Sequence, residues 1–211
     1  LGASNIFIGL ISSIVYFAFI FMIVGRAIVS IIGTKRQFTL AWLLRNASMI
    51  PIVFAPVAAR QGRIDVAMLL ILLPFLGFNV FKGLGLVSVN PTLGAIAEGK
   101  DRGEFLSRLQ IYVQSVLIGT NLVIALFVGS RAEVDRYLIL MVAGIGAGLV
   151  SAIFIARLPE PPKVKVSGQT KLFADIGDSL KRTDYRRFII LACVVALITG
   201  MTGPFLVVYA K

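Results

Sequence analysis

Six long runs of apolar residues restrict what this sequence can fold into. Each run has about 20 residues, the length that an α-helix needs to cross a hydrocarbon core of about 30 Å. The runs cover residues 5–25, 40–59, 66–90, 110–129, 137–156 and 188–210. An alternative extends the first run through Ile32 and the third beyond Pro91 toward Ile96, because the residues there are still largely apolar. A water-soluble fold of 211 residues has too little interior to bury all of them, and only 15% of the chain is charged. The sequence therefore predicts an all-α polytopic membrane protein with six transmembrane helices.

The connections between the runs alternate in charge. The first, third and fifth connections carry fourteen lysines and arginines, whereas the second and fourth carry four. Because basic connections stay in the cytoplasm, the chain is predicted to enter the membrane from outside and to keep its three basic connections inside. This topology also accounts for the net charge of +11, since the basic residues form no continuous surface. We therefore expect the lipid bilayer, and not nucleic acid, as a partner.

The fifth connection is the longest polar segment and the predicted boundary between two membrane units. Residues 1–156 would form five transmembrane helices of an N-terminal bundle, residues 157–187 a cytoplasmic linker, and residues 188–211 the first helix of a second bundle. The linker begins LPEPPKVKVSG, in which the prolines oppose a helix. Further on, TKLFADIGDSLKR has apolar residues at helical spacing, which predicts an amphipathic helix at the inner membrane surface. A flexible linker is the alternative.

Four stretches carry a resemblance to a known family. They read, in chain order, LGASNIFIGLISS, GRAIVSIIGTKRQF, FKGLGLVSVNPTLGAIAEGKDRGEF and RRFIILACVVALITGMTGPFLVVY. They resemble the turn between helices one and two, the signature loop between helices two and three, helix four with its following turn, and helix seven of the major facilitator superfamily of transporters. That family has two halves of six helices, so the resemblance implies a partial bundle: a fragment covering helices two to seven.

The resemblance also implies a function. It implies secondary active transport of a small solute by alternating access, in the bacterial inner membrane, without a cofactor and driven by a proton, sodium or substrate gradient. The alternative is a non-transporting receptor or scaffold of the same fold, in which the polar faces all pack against neighbouring helices. Catalysis is not expected, because the acidic residues lie in connections or at the ends of runs and the chain has no histidine.

The stretch GRAIVSIIGTKRQF is predicted to form a gating loop on the cytoplasmic side. Its glycines, Gly25 and Gly33, would let helices pack closely at an inner gate. Its cations, Arg26, Lys35 and Arg36, would hold the loop in the cytoplasm.

Other glycines and several prolines predict how the runs pack and bend. Gly144 and Gly148 lie one turn apart and form a small surface for close helix approach. The prolines that are predicted to bend their helices are Pro51, Pro56, Pro74 and Pro91.

Two cations fall inside the apolar runs. Arg45 lies about 7.5 Å along the helix from Leu40, and its side chain is expected to snorkel to the cytoplasmic surface. Lys82 lies about 24 Å from Val66, near the middle of its run. A central cation costs about 2.5–3.5 kcal/mol, so we expect Lys82 to face a watery cavity or an anionic ligand. Snorkelling from a tilted helix is the alternative.

Polar residues at helical spacing extend this interpretation to three runs. The third, fourth and sixth runs each carry a polar stripe, and together the stripes are expected to line a solvated pathway. Hydrogen bonding between packed helices is the alternative. Lys82 favours an anionic or carboxyl-bearing substrate. The residues predicted to line the substrate cavity are Asn79, Lys82, Gln114, Asn121 and Thr202.

Overall fold

The computed structural model describes residues 5–97, 102–129, 134–160, 181 and 183–195, and every regular element in these residues is helical. Residues 183–195 form a helix in the later part of the chain. The earlier elements are α1 (Asn5–Ile32), α2 (Thr34–Ala47), a 3₁₀ helix (Ile50–Phe54), α3 (Ala55–Arg60), α4 (Ile64–Ile96), α5 (Arg102–Val128) and α6 (Val134–Ala156).

Five helical segments within the described residues are long and apolar enough to cross a membrane. They are Ser13–Ile32, Thr34–Arg60, Ile64–Ile96, Arg102–Val128 and Val134–Ala156. The described structure is thus all-helical, as predicted, and its long apolar helices fit a multi-pass membrane protein. Most of the sixth predicted span, 188–210, lies outside the described residues.

The interior and the surface have the reverse of the composition seen in water-soluble proteins. Large aliphatic and aromatic side chains are exposed along all five segments. In a bilayer this pattern is favourable, because lipid covers the large side chains and helices approach each other through small ones. The buried apolar residues of the described chain are Ile14, Ala18, Phe38, Ala41, Ala55, Ala58, Ala67, Ala97 and Ala152.

Helix α4 is the central helix of the bundle, and it packs against α1, α2 and α3. Glycines allow this packing. A Cβ atom on Gly83 would collide with the backbone carbonyl of Ala18 in α1. A Cβ atom on Gly85 would lie 3.2 Å from the Cβ of Ala41 in α2. The α4 surface therefore fits two neighbouring helices at the same level of the bundle.

The prolines affect the helices in two different ways. The second span is interrupted between Ala47 and Ala55, where a 3₁₀ helix contains Pro51 and α3 begins next to Pro56. Helix α4 instead continues through both of its prolines, Pro74 and Pro91. The predicted bend is thus an actual break in the second span only.

The helix ends meet in pairs that agree with alternating spans. At one end of the bundle, Nη2 of Arg60 donates a 2.8 Å hydrogen bond to Oδ1 of Asp135, which joins the end of α3 to the start of α6. At the other end, Gly33 lies close to Glu160, since a Cβ on this glycine would be 3.3 Å from Oε1 of that carboxylate.

The chain divides into two compact units, Leu1–Val164 and Lys165–Lys211. The division falls inside the predicted linker, residues 157–187. Residues 159–160, near the start of this linker, are non-helical. The predicted amphipathic helix, with its apolar residues at 172–180, lies outside the described residues.

Candidate functional site

The segment predicted as a gating loop is helical in the structure. Helix α1 continues to Ile32 and α2 begins at Thr34, so that Gly33 alone separates them. Gly33 has a φ of 85°, which glycine adopts without the steric cost that a side chain brings. Because one residue supplies the whole turn, neither helix needs to unwind. The expectation of a loop was wrong, and its proposed gating role stays a prediction.

The predicted close packing at Gly25 is confirmed, and it occurs at a junction of three helices. A Cβ atom on Gly25 would lie 2.8 Å from the carbonyl oxygen of Leu84 in α4. Nε2 of Gln37, in α2, donates to the carbonyl oxygens of Gly25 (2.8 Å) and Leu84 (2.7 Å). Oε1 of Gln37 is buried and has no hydrogen-bond partner among the described residues. One amide group therefore links α1, α2 and α4.

The cations of the predicted gating segment lie in about the last two turns of α1 and the first turn of α2. Arg26 and Lys35 are half-buried, and Arg36 is exposed. They flank Gly33, which lies beside Glu160. This end of the bundle thus carries the basic cluster that was predicted to face the cytoplasm.

Arg45 does not lie near the start of its helix. Since α2 begins at Thr34, Arg45 is about 16 Å along the helix axis, deeper than expected. Its guanidinium carbon lies 3.7 Å from the ring centroid of Trp42 and 4.8 Å from that of Phe78 in α4. The expected snorkelling to the surface is therefore replaced by stacking on two aromatic rings.

This stacking offsets much of the free-energy cost of placing the Arg45 charge inside the membrane. Each cation–π contact contributes about 0.5–2 kcal/mol, and Arg45 makes two, whereas a central cation costs about 2.5–3.5 kcal/mol. Nε of Arg45 is buried without a hydrogen-bond partner in the described part of the chain. This nitrogen is thus a donor that the described residues leave unsatisfied.

The two candidate residues of α4 have different surroundings. Lys82 is half-buried, and within the described residues it has neither a hydrogen bond nor an ion pair. Asn79 is only 2% exposed, and its Nδ2 donates a 2.8 Å hydrogen bond to the carbonyl of Phe75 in the same helix. Asn79 is therefore part of the packed interior, whereas Lys82 is half-buried and has no ion pair with a described residue.

The polar stripe of α5 is on an open surface. Gln114 and Asn121 are exposed, and Gln114 lines an open groove of about 620 Å³ together with Ser107 and Gln110. Within the described residues α5 packs mainly against α6, so the structure does not bring this stripe against α4. The remaining candidate, Thr202, lies outside the described residues.

A polar interface between α2 and α6 was not anticipated. Nε1 of Trp42 donates a 2.8 Å hydrogen bond to Oγ of Ser151, and Nδ2 of Asn46 donates a 3.2 Å bond to the carbonyl of Gly148. Asn46 lies so close to Gly148 that a Cβ there would collide with its amide, which confirms close packing at this glycine. A Cβ atom on Gly144, by contrast, would have no such contact within 4 Å among the described residues. The sequence feature that could have predicted this interface was the presence of polar residues inside an apolar run.

A second cavity lies beside the break in the second span. It has a volume of about 360 Å³. Its walls are almost entirely apolar, so they offer no partner for a charged group. The lining residues are Ser48, Pro51, Val66, Leu69, Leu70, Leu73 and Pro74.

Comparison with known proteins gives no relative from which a role could be transferred. No family model matches the chain, and no curated protein or solved structure matches it significantly. Among the described residues, no group of three or more histidine, cysteine or acidic side chains is placed to hold a metal ion. The candidate site is therefore defined by its own residues: the two in-span cations Arg45 and Lys82 and the aromatic rings beside Arg45.

Proposed function

We propose that this chain is part of a secondary active transporter of the major facilitator type, which moves a small solute by alternating access. It would supply helices two to seven and lie in a bacterial inner membrane. The observation that carries the proposal is Lys82, an accessible cation without an ion pair among the described residues, on the central helix of an apolar bundle. A charge at that depth is costly, and in membrane helices such charges mark solute and ion pathways.

Two further features support transport. The second span is a discontinuous helix, and transporters place such broken helices next to their binding sites. Glycines let α4 pack closely against α1 and α2. Helices packed in this way would move together as one rigid body. The driving gradient of protons, sodium or substrate remains part of the proposal, and no cofactor or catalytic step is invoked.

A non-transporting receptor or scaffold is the second candidate, and one observation favours it. Two of the buried polar side chains, Gln37 and Asn46, donate hydrogen bonds to the backbone of neighbouring helices. Polar residues with this use hold a bundle together without lining a pathway.

Labelling from the two sides of the membrane distinguishes the candidates without knowledge of the substrate. The experiment uses full-length protein with Cys193→Ser and a new cysteine, Leu86→Cys, which lies one turn from Lys82 on the same helix. Right-side-out and inside-out vesicles are treated with a membrane-impermeant thiol reagent. A transporter exposes this position alternately, so we expect labelling in both kinds of vesicle.

The control is Ser107→Cys in the same background, an exposed residue near the start of α5. It should react only in inside-out vesicles, where the predicted cytoplasmic end faces the reagent. If Leu86→Cys also reacts from one side only, the chain does not alternate and the receptor or scaffold is the better description.

A further inference from the structure

Two cations lie within the described spans of facing helices, Arg45 in α2 and Lys82 in α4. Every carboxylate that the structure describes is at a helix end or in a connection. Asp65, for example, is about 25 Å along α4 from Lys82. The two described ion pairs involve other residues at the ends of the bundle. Neither cation is therefore neutralised by a described acid.

The helix contacts place the two cations at nearly the same level of the bundle. Ala41 in α2 lies against Gly85 in α4. Arg45 comes one turn after Ala41 in α2, and its guanidinium stacks on Phe78, which comes about two turns before Gly85 in α4. The helices thus run antiparallel. Lys82 lies between these two contacts, on the same face as Phe78 because the two are four residues apart.

The two side chains lean in opposite directions along the bundle. In an α-helix the Cα–Cβ bond tilts toward the N-terminus. Arg45 is one turn beyond Trp42, and its guanidinium leans back over that ring, toward the start of α2. Lys82 tilts toward the start of α4, which is the opposite direction along the bundle. Both side chains thus leave their helices at nearly the same level, and the contact with Phe78 keeps the guanidinium of Arg45 beside α4.

We propose that Arg45 and Lys82 together bind the oxyanion group, a carboxylate or a phosphate, of the solute that the protein transports. This inference rests on the proposed transport function and names its substrate class. The guanidinium offers several N–H donors in a planar fork that matches an oxyanion, and the ammonium adds a mobile point charge. The rings of Trp42 and Phe78 hold the guanidinium in place and exclude water on two sides. An anion between the cations would supply the missing neutralisation.

Two alternative explanations of these cations predict different effects of substituting them. In the first, an acid elsewhere in the protein pairs with Lys82, so that removing the lysine leaves that acid buried and unpaired. In the second, each cation reaches water independently and no ligand is bound. The stability of the ligand-free protein distinguishes the proposed site from the first alternative. The response to added anions distinguishes it from the second.

The test measures the thermal unfolding midpoint of full-length protein in neutral detergent at constant ionic strength. The probes are inorganic phosphate and succinate, with glucose as the uncharged control. We expect at least one anion, and not glucose, to raise the wild-type midpoint in a saturable way. The shift should disappear in Lys82→Met and Arg45→Gln. It should persist in the control Arg63→Gln, which removes an exposed arginine just before α4.

Ligand-free Lys82→Met should unfold at the same temperature as wild type or at a higher one, because an uncompensated charge has been removed. Arg45→Lys keeps the charge but not the fork, and it should retain part of the anion response if the protein folds. The proposal is overturned if Lys82→Met lowers the ligand-free midpoint, if neither anion shifts the wild type, or if the shift survives in both cation variants.

The outcomes also separate this inference from the proposed function. Labelling of Leu86→Cys from both sides, with anion responses unchanged in the cation variants, would leave transport in place and remove the oxyanion site. One-sided labelling, with anion binding that depends on both cations, would keep the site and turn the protein into a receptor.

Discussion

Helices α4 and α5 are both long and apolar enough to span a membrane, yet they have opposite places in the structure. Helix α4 packs on three neighbours, whereas α5 has no buried residue within its length. The difference lies in the small residues. Gly83 and Gly85 bring the backbone of α4 against α1 and α2, whereas a Cβ atom on Gly119 of α5 would contact no neighbouring helix within 4 Å in the described part of the chain. Apolarity thus decides which segments enter the membrane, and small residues decide which of them meet.

The largest effect is expected from adding one methyl group to each of these helices. Gly83→Ala should destabilise the protein by about 3 kcal/mol, because the new Cβ collides with a backbone carbonyl of α1, which moves only with its helix. Gly119→Ala should be stabilising by about 0.5–1 kcal/mol, since it meets nothing and improves helix propensity. Equilibrium unfolding in mixed detergent micelles measures both. Equal effects of the same sign would remove the distinction between the two helices.

A smaller effect is expected from replacing one glutamine in each region. Gln37→Leu should cost about 1 kcal/mol, because it removes two interhelical hydrogen bonds that contribute about 0.6 kcal/mol each. Gln110→Leu on the exposed face of α5 should leave the free energy of unfolding unchanged within about 0.5 kcal/mol. The same unfolding assay applies. A neutral Gln37→Leu would show that the three-helix junction does not contribute to stability.

An aromatic substitution tests the α2–α6 interface on a finer scale. Trp42→Phe keeps a ring for Arg45 but loses the bond to Ser151, and we expect a loss of about 0.6 kcal/mol. Tyr112→Phe in α5 removes a hydroxyl from a side chain that is 70% exposed, so it should have no measurable effect. If Trp42→Phe costs as little as Tyr112→Phe, the hydrogen bond between these helices is not formed in the protein.

The smallest effect is expected from the surface ion pairs. Arg60 and Asp135 link α3 to α6 with side chains that are each 68% exposed, and Arg108 pairs with Glu104 within α5. A double-mutant cycle with Arg60→Gln and Asp135→Asn should give a coupling energy of about 0.5 kcal/mol or less, which decreases with added salt. The matching cycle in α5 should give a similar value. A coupling of several times this size would mean that the ends of the bundle contribute more than its glycine contacts suggest.

The sequence predicted the helical class and the approximate spans, because apolar runs of about 20 residues depend only on local composition. It placed the start of the second span at residue 40 although α2 begins at Thr34, because the polar residues that open this helix resemble a loop. The break between Ala47 and Ala55 was expected from its prolines only as a bend.

Part of the candidate site could also be predicted from local spacing along one helix. Spacing alone places Lys82 on a polar face of α4, and the structure leaves this lysine accessible. The contact of Arg45 with Phe78 depends on the register between two helices, which no local pattern encodes. The exposed position of Gln114 likewise follows from which helix packs beside α5, a tertiary property.

The single glycine between α1 and α2 has a mechanical consequence. A connection of one residue has only two backbone torsions that rotate easily. It therefore cannot take up a large displacement of either helix. When the end of one helix tilts, its neighbour must turn with it or the connection must unwind. A rotation of the first membrane-crossing helix is therefore expected to turn the second one as well.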